Sequence, residues 1–333
     1  MRIVVDGFGG DNSPEQVVLG AYAALEKNEK LEVLITGDCE KIKNVLKSNN
    51  ISVPKRLRII HTDEIVDNED DPISAVRNKK NSSLVVGLNL VANGEADAFV
   101  GAGNTGALLT GATLIIKRIK GVKRAALAPI VPTQRNPAVI IDVGANAECK
   151  PEFFPQFGIM GSIYAREILG VKDPKVGLIN IGVEEHKGTE NIVNAYHLLK
   201  ETKNIKFLGN VEARDVLKGD ADVLVSDGFT GNIVLKTIEG TAGTLMKMLK
   251  GVFYKNFKTK LAALVLKKGL SDLKKTFDHE EAGGAPLLGL TAPIIKAHGS
   301  SNKTSFCNAI LFANSFCEKN VCQIISDNIS EVL

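Results

Sequence analysis

Short runs of apolar, mostly β-branched residues recur along the chain, with helix-length segments between most of them. They are Ile3-Val4-Val5, Val33-Leu34-Ile35, Leu57-Arg58-Ile59-Ile60, Ala98-Phe99-Val100, Val139-Ile140-Ile141, Val176-Gly177-Leu178-Ile179 and Val223-Leu224-Val225. Runs without polar alternation predict strands buried on both faces. Strands alternating with helices give an α/β fold, a mainly parallel Rossmann-like sheet with helices on both faces. From Ala125 to Ile141 the rhythm breaks, because only Pro132 to Pro137 separates two apolar runs, and a hairpin is expected there. No repeat or linker interrupts the pattern. The expectation is a single α/β domain over residues 1–333, with a helical excursion at 245–280 where lysines and apolar residues interleave.

Composition narrows the class. The chain has 333 residues, 44% of them hydrophobic, which is ample for a buried core. Lys plus Arg number 41 against 38 acidic residues, a net charge of +3 that argues against a general nucleic-acid binder. Five cysteines without C-x-x-C spacing suggest neither a disulfide framework nor a zinc cage, and fit a reducing cytoplasm. The opening MRIVVDGFGG reads as a strand and not as a signal sequence, and no apolar run reaches the ~20 residues of a membrane span. A cytoplasmic protein is expected. No His, Cys and carboxylate cluster has metal-ligand spacing.

The chemistry gathers in the loops after the strand runs, where open α/β sheets bind ligands. These loops are Asp6 to Asn12, Gly101 to Gly106, Asp142 to Asn146, Gly182 to Gly188 and Asp227 to Asn232, with a late loop from Lys296 to Ser301. Glycine lets backbone approach a ligand closely, and a helix start offers unpaired N–H groups, so such loops suit an anion. A plain strand-to-helix turn is the competing reading of any one of them. Gly101-Ala102-Gly103-Asn104-Thr105-Gly106 matches G-x-G-x-x-G by spacing, but the acidic residue expected ~20 positions later is missing. Phosphate is therefore preferred over a dinucleotide.

With these loops in place, the sequence resembles the bacterial phosphate acyltransferases of phospholipid synthesis. The resemblance runs nearly end to end through Asp6-Gly7-Phe8-Gly9-Gly10-Asp11, VRNKKNSS (76–83), GAGNTGA (101–107), DVGAN (142–146), GNVEARD (209–215), DGFTGN (227–232), GGAPLLG (283–289) and KAHGSS (296–301). It implies transfer of an acyl group from acyl-acyl-carrier-protein to inorganic phosphate, without a cofactor. It also implies a fold like the isocitrate and isopropylmalate dehydrogenases and phosphate acetyltransferases, a homodimer, and peripheral membrane association. By the same resemblance Lys187 and Asn232 are catalytic, and Gly101, Gly103, Asn104, Thr105 and Gly106 hold phosphate. The chain departs from the family's usual D-A-M-G-G-D-H-A-P opening at Gly7, Phe8, Asn12 and Ser13, and has Ala282 where the family often has tyrosine.

The residues agree with that chemistry. Phosphate is already a nucleophile and a thiolate a good leaving group, so no serine or cysteine nucleophile is required. Donors for a phosphate and for an oxyanion are required, and Lys187 and Asn232 suit. A solvated lysine and a helix-capping asparagine are the bland alternatives. Among the histidines only His298 is a site candidate. Asp6, Asp142, Asp227 and Asn146 either converge on the site or fix their own loops. From Leu245 to Phe277 apolar residues at helical spacing alternate with lysines, which suits either a lipid surface met by Leu261, Leu264 and Leu266 or a dimer-interface or core helix pair. The basic run Lys117 to Arg124 is a candidate contact for an acidic carrier protein. A coenzyme A-dependent phosphate acetyltransferase, a decarboxylating NAD-dependent dehydrogenase and a non-enzymatic membrane scaffold are the rival readings.

Overall fold

The computed structural model describes residues 1–276 and 283–329. Its strands are β1 (Arg2–Asp6), β2 (Glu32–Gly37), β3 (Leu57–His61), β4 (Ala98–Gly101), β5 (Ala126–Leu127), β6 (Ile130–Val131), β7 (Ala138–Ile141), β8 (Lys175–Asn180), β9 (Lys206–Glu212), β10 (Val223–Val225), β11 (Ala285–Leu288) and β12 (Ile294–Lys296). They form two sheets where one was expected, ordered β3-β2-β1-β4-β12-β11-β5 and β6-β7-β10-β8-β9. The change of sheet falls between β5 and β6, which pair with β11 and β7 respectively. Pro129 sits between them, and a residue without N–H cannot carry a ladder through. The expected hairpin is present as antiparallel β6 and β7, with Ile130 opposite Val139.

The helices are α1 (Glu15–Lys27), α2 (Cys39–Ser48), α3 (Pro72–Asn78), α4 (Ser83–Ala92), α5 (Thr105–Gly111), α6 (Phe154–Glu167), α7 (Glu190–Glu201), α8 (Gly228–Phe253), α9 (Phe257–Thr276), α10 (Lys303–Glu318) and α11 (Val321–Ile329). Both faces of each sheet are covered, which is why the strand runs lack polar alternation. In β1, Ile3 and Val5 pack with Val17 of α1 and Phe306 and Ile310 of α10, whereas Val4 turns to Leu84 and Leu88 of α4. In the second sheet Val139, Ile141 and Leu178 meet Phe157 and Ile163 of α6, and Ile140 and Leu224 share a cluster with Val234 of α8. Each such side chain contributes about 1.5–3 kcal/mol over its exposed state. Leu288 of β11 and Phe316 of α10 join the cluster of the second sheet, so apolar contacts bridge the two sheets.

The helical excursion consists of α8 and α9, but it begins at residue 228, well before 245. Asp227 caps α8 by accepting from the Thr230 amide at 2.7 Å, and the helix then continues unbroken to Phe253. Residues 277–280 of the expected span lie outside the described residues. Only Gly228, Gly231 and Val234 of α8 are buried. Beyond them Leu245, Met248 and Val252 of α8 and Phe257, Leu261, Leu264, Val265 and Leu266 of α9 are exposed, Leu264 at 67% and Val265 at 85%.

Candidate active site

Strands β1, β4 and β12 lie side by side and run parallel, so their carboxyl ends deliver three loops to one edge. These loops mesh although they come from opposite ends of the chain. The Asp11 amide donates to the Gly299 carbonyl at 2.8 Å, Asn12 Nδ2 to the Ser300 carbonyl at 3.1 Å, and the Ala297 amide to the Gly101 carbonyl at 2.9 Å. The second sheet brings the loop after β7 and the start of α8 to face them. A cleft of about 600 Å³ opens between the two walls. Gly103, Thr105, Lys296 and His298 line one wall, and Gly144 and Asn232 the other.

Asn232 stands on the first turns of α8, not in a loop as the sequence suggested. Gly144, with φ of +91°, lies against it: a Cβ on Gly144 would come 3.7 Å from Asn232 Cγ. A side chain at 144 would therefore be strained by its backbone, while its Cβ would rest in ordinary contact with Asn232.

Among the five candidate phosphate residues, Gly103 and Thr105 line the cleft, whereas Gly101, Asn104 and Gly106 do not. Asn104 is occupied in holding the loop. Its Oδ1 accepts from the Ala107 amide at 2.9 Å, capping α5, and its Nδ2 reaches the carbonyls of Asp67, Asn68 and Asp70 at 3.1–3.2 Å. The acidic stretch 67–71 is thereby tied to the site, and Asn68 lines the cleft.

The aspartates organise loops. Asp142 is fully buried and accepts from the amides of Leu127 (2.8 Å), Ala145 (3.2 Å) and Asn146 (2.6 Å) and from Asn146 Nδ2 (2.9 Å). Asn146 Nδ2 also donates to the Ala125 carbonyl at 2.8 Å. Burial raises the Asp142 pKa above the usual carboxylate range, opposed by the Asn146 side chain and the loop amides. Asp6 is likewise raised by burial, opposed by Ser83, by the amides of Phe8 and Gly9 and by the charge of Lys296. Neither Asp6, Asp142, Asn146 nor Asp227 lines the cleft. Next to Asn146, burial pushes the Cys149 thiol up to about 12, so it is no thiolate nucleophile. His298 lines the cleft with Nδ1 2.8 Å from Ser300 Oγ.

The structure does not bring Lys187 to the lining of the cleft. It sits in the loop after β8, whose shape is fixed by Asn180 Nδ2 donating to the Lys187 carbonyl at 2.9 Å and the Lys187 amide donating to the Glu184 carbonyl at 3.1 Å. Strand β8 pairs with β10, so this loop lies beside the start of α8. The lysine that does line the cleft is Lys296, at the end of β12, which sequence reasoning passed over in favour of His298. Its Nζ donates to the carbonyls of Ala102 at 3.0 Å and Ala297 at 2.7 Å. Burial pushes its pKa down to about 8, against the opposing charges of Asp11 and Asp6. The signal was present: a lysine closing a strand, followed by Ala, His, Gly and two serines. Among the described residues, no group of three or more His, Cys, Asp or Glu side chains is placed to hold a metal.

Comparison with known proteins extends this picture. The family described as "Fatty acid synthesis protein" matches residues 1–324. A phosphate acyltransferase of Alkaliphilus oremlandii is 49% identical over 333 residues, covering 100% of this chain and 98% of the relative. The phosphate acyltransferase of Bacillus subtilis is 45% identical, with 99% and 98% covered. Among solved structures, a phosphotransacetylase from Streptococcus pyogenes superposes with a TM-score of 0.65 at 19% identity, covering 96% of this chain and 94% of that one. The EutD phosphotransacetylase of Staphylococcus aureus gives 0.64 at 17% identity, with 95% and 94% covered. The last two likenesses concern the fold.

Proposed function

This chain belongs to the fatty acid synthesis protein family, and we propose from that premise that it moves a fatty acyl group from acyl-acyl-carrier-protein to inorganic phosphate, giving acyl-phosphate for phospholipid synthesis. That it is a phosphate acyltransferase rests on full-length relatives of that name; the carrier-bound donor is the finer step taken here. The observation that carries the mechanism is the cleft itself, with a glycine-rich loop and a cation on one wall and the Asn232 amide on the other.

A phosphate oxygen attacks the thioester carbonyl carbon, and the carbonyl oxygen takes up negative charge. When the C–S bond breaks, the electron pair leaves with sulfur as the carrier's thiolate, and the mixed anhydride is released. The chain's residues hold and orient the reactants for this step. The backbone of the Gly101 to Gly106 loop cradles phosphate, with Gly103 and Thr105 at the cleft and Asn104 fixing the loop from behind. Asn232 donates to the developing oxyanion. Lys187, in the loop after the adjacent strand β8, is the second donor to that carbonyl, a role it takes from the family resemblance.

The basic run Lys117 to Arg124 supports the choice of donor. Arg118, Lys123 and Arg124 join Lys150 around a surface depression of about 520 Å³, where these four cations outnumber the one carboxylate, Glu152, a balance suited to an acidic carrier. The exposed apolar residues of α8 and α9, with lysines among them, support peripheral membrane contact through Leu261, Leu264 and Leu266, and the same helices support a homodimer. No helix among the described residues is long and apolar enough to cross a membrane. Kinship with the isocitrate and isopropylmalate dehydrogenase-like folds, implied by the family resemblance, is part of the same proposal.

The test is carrier release from a long-chain acyl-acyl-carrier-protein with and without inorganic phosphate, trapping acyl-phosphate as its hydroxamate. Phosphate-dependent hydroxamate is expected. Turnover of acetyl-coenzyme A but no carrier-bound donor would replace this reading with a phosphate acetyltransferase. Lys187→Met should lose about 10²–10³ in turnover, and full activity in that variant would remove Lys187 from the mechanism.

A further inference from the structure

We propose that the Lys296 ammonium is the fixed positive charge that receives inorganic phosphate in the cleft. The inference rests on the acyltransferase reading and assigns its phosphate subsite to a residue of β12 on the first-sheet wall.

An ammonium has three donors. Two of those of Lys296 are taken by neutral backbone carbonyls, Ala102 at 3.0 Å and Ala297 at 2.7 Å. Among the described residues, no carboxylate oxygen lies within the 4.0 Å of an ion pair with its Nζ. Asp11 and Asp6 act on it only from farther away, and burial outweighs their attraction, leaving the amine easier to deprotonate than a surface lysine. A half-buried cation whose close partners are carbonyl dipoles, with carboxylates acting only from longer range, is an unfavourable arrangement for the empty protein. An anion in the cleft supplies the missing partner.

The surroundings select phosphate. Lys296 shares its wall with Gly103, Thr105, Ser300 and Ser301, small and polar residues that leave room for a compact anion beside the ammonium. The other charged or titratable groups lining the cleft are Lys236 and Glu239 of α8 and His298. Asn232, the donor for the thioester oxygen, is on the facing wall. Nucleophile and electrophile are thus held from opposite sheets, with phosphate on Lys296 and the acyl carbonyl on Asn232. The carrier's phosphopantetheine arm also contains phosphate, so the test must separate the two sources.

Kinetics of Lys296→Gln, Lys296→Arg and Lys296→Met decide the matter, with KM determined separately for phosphate and for acyl-acyl-carrier-protein and thermal unfolding measured for each. Glutamine keeps a donor for the carbonyls but not the charge. K296Q is expected to raise the phosphate KM about ten- to a hundredfold, leave the donor KM within about twofold, and unfold close to the wild-type temperature. K296R should recover most of the phosphate affinity. A K296Q enzyme that folds and keeps its phosphate KM overturns the proposal, as does a rise confined to the donor KM, which would place the arm's phosphodiester there. So does a loss in K296M that K296Q fully restores, because that would mark the carbonyl bonds and not the charge. Absence of acyl-phosphate from the wild type would instead sink the acyltransferase reading. Calorimetric titration with inorganic phosphate, expected to show binding to wild type and none to K296Q, would still judge Lys296.

Discussion

Replacing Gly231 by alanine tests whether the start of α8 is locked in place by its approach to the loop after β7. A Cβ at this position would lie 2.0 Å from the Asp142 backbone oxygen and 3.2 Å from its carbonyl carbon. Real Cβ atoms essentially never come within 3.0 Å of such neighbours, so helix and loop must part by about 1 Å. Asp142 cannot yield easily, since its carboxylate is bound by three backbone amides of its surroundings. Overpacking of this kind costs about 1–3 kcal/mol. The functional cost is larger, because the next residue is Asn232, the proposed oxyanion donor, and a shift of ~1 Å at such a group can cost on the order of 10²-fold in rate. G231A should therefore lose about two orders of magnitude in acyl-phosphate formation and unfold a few degrees early. The control lies in the same helix: a Cβ on Gly240 meets nothing within 4 Å. Alanine is favoured there by about 0.8–1.0 kcal/mol of helix propensity, so G240A should keep its rate and unfold no earlier than wild type. A fully active G231A with a wild-type unfolding temperature would refute the account, and so would a G240A as damaged as G231A.

Further outcomes follow from other contacts. Asp142→Ala leaves the amides of Leu127, Ala145 and Asn146 without their acceptor; at about 1–3 kcal/mol per buried orphan, the urea midpoint should fall clearly, and an unchanged midpoint would contradict the loop-fixing role. The Lys296 pKa is lowered to about 8, so the charged form is lost as pH rises through that value. In the free enzyme kcat/KM for phosphate should decline above about pH 8, and K296Q should lack that limb; an identical limb in K296Q would assign it elsewhere, with His298, Asp6, Asp11, Lys236 and Glu239 as the neighbouring groups to test. Leu264→Glu places a charge on the exposed face of α9 and should reduce cosedimentation with anionic vesicles, whereas undiminished binding would leave that face to a partner helix.

The strands that sequence revealed were those whose partners cover both faces, since burial on two sides leaves an uninterrupted apolar run. β9 escaped because it is an edge strand in which Gly209 and Asn210 interrupt the apolar residues. β11 and β12 escaped because they span only four and three residues. A run so short becomes a strand through its neighbours, and those of β12 include β4, far earlier in the chain. For the same reason the second sheet was hidden: local patterns record periodicity, whereas Pro129 changes pairing partners through contacts that no local window contains. At the site, glycine-rich loops after strands were legible because backbone geometry demands those residues. Lys296 was not, because its distinction lies in what surrounds its ammonium. Asn104 was legible as a loop residue, but its three carbonyl partners at 67–70 gave no sign in the sequence.

The place of β12 bears on how the polypeptide is made. It is inserted between β4 and β11, in the interior of the first sheet. During synthesis β4 emerges long before it, and until Ile294 to Lys296 arrive, Ala98 to Gly101 have no neighbour on that side. An unpaired apolar strand edge is a template for association with other chains, and closing it is a long-range step of the slow kind. Nascent chains halted before β12 are thus the forms of this protein most prone to aggregate or to engage chaperones. The same three residues include Lys296, so the strand that covers the adhesive edge also adds a wall residue of the cleft.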